Sequence, residues 1–210
     1  DAISFLKQHD AKVQAILAEA TADTLSPALR EEIKGHINSA FDFPELSRLA
    51  LGTHWQKQTP EDRDHFIQTF SGIIKEQNFD SFVQYYREGK ITYESAERDG
   101  DTTVVVAKIP LQREEIEIVY KLHQVQKAWR VYDLVIDGVS TAEGNRRRYA
   151  RYIEKKGYEK LIAQLDKQLA RKLAPLVNNP EAWEPLKEYL QTLKNLELQV
   201  LAVATSELEM

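Results

Sequence analysis

The hydrophobic period of this chain changes twice, and those changes restrict its fold more than any single motif. Up to Lys90 the apolar residues recur every three or four positions, the spacing of amphipathic helices. Then they alternate. ITYESAE, TTVVVAKI, EIEIVYKL and AWRVYDLVI are four strand-like runs, divided by Asp99-Gly100-Asp101, by Pro110 with its polar neighbours, and by the polar segment His123 to Lys127. Beyond Asp137-Gly138 the helical period returns. Short connections make the strands an antiparallel meander. Helices on either side of a four-stranded antiparallel sheet are therefore expected, with an apolar pocket enclosed between the long helix and the sheet.

Capping residues mark the helix boundaries. Ser26-Pro27 supplies an N-cap and a first-turn proline, Asp42 caps PELSRLAL, and Gly52 ends it. Thr59-Pro60-Glu61-Asp62 opens the longest helix, and its acids, with Asp64, fit the positive dipole end rather than a catalytic pair. That helix carries Phe66, Ile67, Phe70, Ile73 and Ile74, then Phe79, Phe82, Val83 and Tyr86, which read as one aromatic face. Spacing alone does not separate plain core packing from a pocket wall, and both readings stand. In the third strand Ile116, Ile118, Tyr120 and Leu122 face one way and Glu115, Glu117 and Lys121 the other. Val104-Val105-Val106 is apolar on both faces, so the second strand is expected to be central. Gly157 ends one late helix and Tyr158 begins the next. Pro175 and Pro180, around Asn178-Asn179, set off a terminal helix with Trp183, Leu186, Leu190 and Leu193 on one stripe. The expected division is a domain over 1–173 and a C-terminal helical extension over 174–210.

Several function classes are disfavoured. A formal net charge of −5 argues against nucleic acid as a partner. No apolar run is long enough to cross a bilayer. The chain contains no cysteine, which suits an oxidising compartment as well as many cytosolic proteins, and it opens at Asp1 rather than Met, which suggests a processed chain, so a signal peptide presumed removed says nothing against export. A zinc site would need dispersed His and carboxylates, no glycine-rich phosphate loop occurs, and no cofactor is expected. His36 sits beside an apolar stripe and is assigned no role. Asp133 is the main candidate for a general base, with Asp137 beside it, because alternation places it on a face with Trp129, Val131 and Val135. Asn145 and the basic run Arg146, Arg147, Arg148 and Arg151 are candidates for head-group or partner contact.

Three blocks carry a family resemblance. The first is Asp42-Phe43, Leu49-Ala50-Leu51-Gly52, Trp55, Thr59-Pro60, Arg63, Phe66 and Phe70; the second is Trp129, Val131-Tyr132-Asp133, Ile136 and Gly138-Val139-Ser140; the third is Gly157 with Leu161-Ile162 and Leu165. Together they resemble the MlaC or toluene-tolerance family of periplasmic phospholipid-binding proteins. The chain departs where the family continues toward Asn-Tyr-Arg and this sequence has Gly144-Asn145-Arg146, with Tyr149 standing where the family has Phe. The resemblance implies an α+β fold, a curved four-stranded antiparallel sheet wrapped by helices with an apolar pocket between the layers. It also implies a carrier, not an enzyme, that moves phospholipid between an outer-membrane lipoprotein complex and an inner-membrane transporter of the ATP-binding-cassette class. Its tails are then expected against Phe66, Phe70, Ile73, Ile74, Phe79 and Phe82 of the long helix, Val104, Val106, Ile116, Ile118, Tyr120, Val131 and Val135 of the strands, and Val139 and Tyr149 beyond them. Rival readings are an isomerase-like enzyme using Asp133, an adaptor with a solid core, and a carrier of another lipid such as a hopanoid.

Overall fold

The computed structural model describes residues 1–20, 25–191 and 196–208. Helices α1 (Ala2–Glu19), α2 (Pro27–Ser39) and α3 (Phe43–Leu51) lead through a 3-10 turn (Gly52–Lys57) to α4 (Pro60–Glu88). The strands follow: β1 (Thr92–Asp99), β2 (Thr102–Pro110), β3 (Glu115–Val125), β4 (Ala128–Ile136) and β5 (Val139–Ser140). Helices α5 (Thr141–Lys156), α6 (Tyr158–Val177), α7 (Pro180–Gln191) and α8 (Leu196–Leu208) complete the described chain. The helix starts are those that the capping residues predict. Ser26, Asp42 and Thr59 each accept a hydrogen bond from the backbone N–H three residues on, and each is followed by proline in the first turn.

The sheet is an antiparallel meander in the order β1-β2-β3-β4-β5, so it has five strands where four were expected. The fifth arises because Asp137 (φ 46°) and Gly138 (φ 80°) both adopt left-handed conformations, as a tight two-residue hairpin requires. They fold Val139-Ser140 back onto Val135 and Ile136 before α5 begins. Strand β2 lies inside the sheet, one place from the β1 edge, and β3 is central.

Two core clusters fill the molecule. The sheet core joins the inner strand faces, Val105, Ala107 and Ile109 of β2 and Ile116, Ile118, Tyr120 and Leu122 of β3, to α1, α2 and the last turns of α4. The helical core joins α3, α5, α6, α7 and α8 to the first half of α4. Helix α4 belongs to both. At 100° per residue its buried Phe66, Phe70, Ile73 and Ile74 centre about 180° from its buried Phe79, Phe82 and Val83. The expected single aromatic face is thus two faces on opposite sides, one turned to the helices and one to the sheet. Where they exchange, Ser71, Gly72, Ile73 and Ile74 are all buried.

The C-terminal end of α4 is pinned. A Cβ on Gly89 would lie 2.2 Å from Ile109 Cγ2, so only glycine permits this approach of helix end to β2. At the other end of the chain, α6 runs through residue 174 without a break and carries Pro175 inside it. The tail read as one helix is two, α7 and α8, and it places Leu186, Leu190 and Val200 in the helical core. Leu193 lies outside the described residues.

The carboxylate of Asp10, buried at the sheet core, finds its partners within the chain. Asp10 of α1 is 8% exposed and accepts hydrogen bonds from the hydroxyls of Tyr86 on α4, at 2.8 Å, and of Tyr93 on β1. Burial raises its pKa above the ordinary 3.8, and the two tyrosine hydroxyls oppose the rise without cancelling it. The native state therefore holds this proton more tightly than the unfolded chain does. The contribution of Asp10 to stability is greatest at low pH and falls as pH rises from 3.8 through the raised native value. Asp10→Asn is expected to remove this slope: in urea titrations from pH 4 to pH 7, wild type should lose stability relative to the variant as pH increases.

Candidate functional site

The exchange of faces along α4 leaves a seam between the two cores, and the seam opens at the surface. A cavity of about 400 Å³ lies among α2, α3, α4, α6 and α7. Its apolar lining includes Phe43, Leu173, Leu176, Ala182 and Leu186. Two helical glycines, Gly35 of α2 and Gly72 of α4, also face it, and a Cβ on Gly35 would meet nothing within 4 Å. A glycine inside a helix costs about 1 kcal/mol relative to alanine. Here its missing side chain leaves the cavity open.

Charged residues stand at the rim. Lys34 Nζ donates to Glu31 Oε1 and to Glu76 Oε1, both at 2.6 Å. Lys75 instead places its ammonium 4.7 Å from the centroid of the Phe43 ring. Burial, and then the charge of Lys34, push the Lys75 pKa below its ordinary value, while Glu76 acts in the opposite direction. A second, small pocket, a crevice of about 10 Å³, adjoins the cavity, sharing Asn38, Phe43 and Lys75 in its lining and reaching Ile74, Phe79 and Phe82. On α4, Gly72, Lys75, Phe79 and Phe82 follow one another at three or four residues, so one helix face leads from the rim to the sheet core.

Several pocket residues expected from the sequence meet at this seam and others lie elsewhere. Ile74, Phe79 and Phe82 line the crevice. Ile116, Ile118, Tyr120 and Val131 are on the inner sheet face behind it, fully packed. Phe66, Phe70 and Ile73 lie in the helical core with Tyr149, whose ring meets both phenylalanines edge-on at 6.0 Å. The facing side chains of α4 and the sheet, Phe79, Phe82, Ile118 and Tyr120 among them, are buried in one cluster. Val104 and Val106 pair with Lys121 and Val119, which puts them on the outer face; the inward residues of β2 are Thr103, Val105, Ala107 and Ile109. Val139 is 67% exposed, because it sits on the short return strand.

A β-bulge accounts for the placing of Val135 and Asp133. Lys121 pairs with Asp133 and Leu122 with Val131, so Tyr132 is extra and the alternation of β4 slips by one. Val131 and Leu134 face inward, whereas Asp133 and Val135 face outward, contrary to simple alternation. Asp133 is 2% exposed and accepts from Lys121 Nζ at 3.1 Å, Ser140 Oγ at 2.7 Å and the Ala142 N–H at 2.9 Å. Ser140 in turn caps α5 through the Glu143 N–H. The carboxylate thus ties β4 to the start of α5 and has no open space beside it in which to act as a base. The bulge also frees Val131 to pair outside the sheet: its N–H donates to Ala40 O and its O accepts from the Asp42 N–H, both at 2.8 Å. Asp42 additionally meets His123 Nε2 at 2.8 Å, joining the start of α3 to β3.

The arginine run lies on α5, and none of its members lines the cavity. Arg146 and Arg147 both reach Glu143 Oε1, at 3.5 Å and 3.2 Å, and Arg146 also packs over Gly52. Arg148 covers the Tyr149 ring, Arg151 donates to Arg147 O, and the Asn145 amide donates to Thr141 O. Of the other acids, Asp166 is buried and accepts from Thr69 at 2.8 Å while facing His65 Nε2 at 3.0 Å, which binds α6 to α4. Among the described residues no cluster of three or more His and acidic side chains could hold a metal ion. No helix of the described residues is long and apolar enough to cross a membrane. The signal that sequence reading passed over was small: Gly35, Gly72 and Lys75 on facing helices.

Three comparisons bear on this geometry. The model of the family described as "MlaC protein" matches residues 7–167, well over half of the chain. The intermembrane phospholipid transport system binding protein MlaC of Haemophilus influenzae is 26% identical over 161 residues, covering 74% of this chain and 72% of that protein. A phospholipid-binding protein of Ralstonia solanacearum, solved in complex with a phospholipid, superposes with a TM-score of 0.69 at 22% identity, over 82% of this chain and 98% of that one. The last likeness shows a shared fold. Ala182 and Leu186, one wall of the cavity, lie beyond the residues matched by the family model.

Replacing Asp133 with alanine strands a buried backbone N–H and a half-buried lysine. The expected loss is about 3 kcal/mol of stability, seen as a lower urea midpoint. An unchanged midpoint would refute the anchoring role.

Proposed function

The chain belongs to the MlaC family, and we propose that it binds the acyl tails of a phospholipid along its seam and carries the lipid through the periplasm. In this reading residues 1–173 form the lipid-binding unit, and the 174–210 extension contributes α7 as a wall of the entrance. The observation that carries the proposal is the adjacency of two pockets that share Asn38, Phe43 and Lys75. An open cavity with an apolar wall adjoins a small crevice lined by Ile74, Phe79 and Phe82, and Gly72, Lys75, Phe79 and Phe82 share one face of α4 along both. The fold shared with a lipid-bound relative supports it.

The energetics define what such a carrier must do. Removing a methylene from water gains about 0.8 kcal/mol, so one sixteen-carbon tail represents on the order of 12 kcal/mol. Release into water is then too slow to be useful. The lipid must pass to membrane partners through a continuous apolar path, and the proposed partners are an outer-membrane lipoprotein complex and an inner-membrane transporter of the ATP-binding-cassette class. Asn145 and the exposed arginines of α5 are proposed to meet acidic surfaces on those partners. No catalytic group or cofactor has a part in this. Phe79, Phe82, Ile118 and Tyr120 are buried between α4 and the sheet, so the tails are taken to enter by parting these layers and to wet those side chains. A solid-core adaptor is the second reading, and the burial of these side chains favours it. Hopanoids are an alternative cargo for the same apolar wall.

Solvent extraction and native mass spectrometry of the purified protein test the proposal directly. Phospholipid is expected in the extract, or is taken up from vesicles by delipidated protein; protein that arrives empty and stays empty would sink the carrier reading. Gly35→Trp should block uptake by filling the entrance while leaving helical circular dichroism intact. The two faces of the sheet give a further check. Ile118→Glu should abolish loading, whereas Val106→Glu, on the outer face, should load normally.

A further inference from the structure

Lys75 is the unusual charge at the entrance. Both nearby carboxylates, Glu31 and Glu76, are turned to Lys34, each at 2.6 Å. Lys75 has no carboxylate in ion-pair range among the described residues, and the ring of Phe43 lies against its ammonium at 4.7 Å. A half-buried ammonium on an apolar wall gives up water contacts and recovers only part of the loss from an aromatic face. An arriving anion recovers the rest. The position along α4 gives the anion its orientation: Phe79 and Phe82 continue the same face into the sheet core, one and two turns inward.

We propose that Lys75 is the anchor for the phosphate of the bound lipid, with Lys34 behind it, so that the head group rests in the cavity between α2, α4 and α7 while the tails run inward past Phe43 and Phe79. The assignment rests on the carrier reading. It separates two roles that the sequence left together, giving the head group to Lys75 and the partner surfaces to the arginines of α5. The cavity suits this division. With a methylene taken as occupying about the volume of a water molecule, about 30 Å³, the 400 Å³ available would hold a phosphate head group and the first carbons of the tails, not two whole tails. The tails must lie in the opened seam. Glu31 and Glu76 sit at the same rim and repel an anion; their pairing with Lys34 is what keeps that repulsion local.

The test compares two lipids with the same tails. Delipidated protein is mixed with vesicles containing phosphatidylglycerol or uncharged diacylglycerol, and the loaded fraction is read by native mass spectrometry. Lys75→Met keeps the stem and removes the charge. It is expected to lower phosphatidylglycerol loading by about tenfold or more, the equivalent of one charge-assisted hydrogen bond, and to leave diacylglycerol loading unchanged. Lys75→Arg should restore the phospholipid. Inorganic phosphate should compete with phosphatidylglycerol and not with diacylglycerol. Unchanged phospholipid loading in Lys75→Met overturns the assignment while the carrier reading survives. Equal loss of both lipids, with the helices still folded by circular dichroism, overturns it too, since Lys75 then shapes the entrance rather than binding phosphate. Phosphate that binds without displacing phosphatidylglycerol identifies a free-anion site and also overturns it. A wild-type protein that takes up neither lipid fails earlier, at the carrier reading itself.

Discussion

One helix has to serve two hydrophobic cores, and the rest of the architecture follows from how α4 does it. A helix buried along a single stripe can pack against one layer; α4 turns its first apolar half to the helices and its second to the sheet. At the crossover both sides are covered, which is why Ser71 and Gly72 are as buried as the isoleucines that follow them. Neither core closes perfectly around that transition. The crevice beside Phe43 and Phe79 and the wider cavity outside it occupy the place where the two packing arrangements meet.

The helix caps, the strand runs and the inward face of β3 were legible because each depends on local chemistry. Asp42 and Thr59 bond their own first turns, and Ile116 to Leu122 alternate without interruption. The misreadings have one physical origin, the assumption that a pattern keeps its phase. The bulge at Tyr132 slips the phase of β4 by one residue and moves Asp133 from the apparent interior to the outer face. On α4 the apolar face swings through half a turn, so a continuous list of aromatic residues hides two surfaces. Val104-Val105-Val106 is apolar throughout, and no alternation within it tells inside from outside; the register with Lys121, Tyr120 and Val119 settles it. The entrance was invisible for a different reason. Its makers, Gly35, Gly72, Phe43 and Leu186, come from four helices and share no motif.

Buried charge in this protein is used for joining elements. Asp133 fastens β4 to α5, Asp166 fastens α6 to α4, and Asp42 links α3 to β3 through His123. Each of these carboxylates is surrounded by donors already supplied by the chain. Lys75 differs because an aromatic ring, not a carboxylate, lies against its ammonium at the rim of the cavity.

The tight contact at Gly89 gives α4 a fixed end. With no room between that residue and Ile109, this end of the helix lies closer to the sheet than any side chain would allow. A parting of the layers that keeps this contact is a rotation about it, and Lys75 lies about 20 Å up the axis from it. The helix is then a lever with its fulcrum at the strand junction. A small tilt opens the far end most and the near end hardly at all, so the space admitted between the layers is a wedge, broad at the entrance and tapering inward.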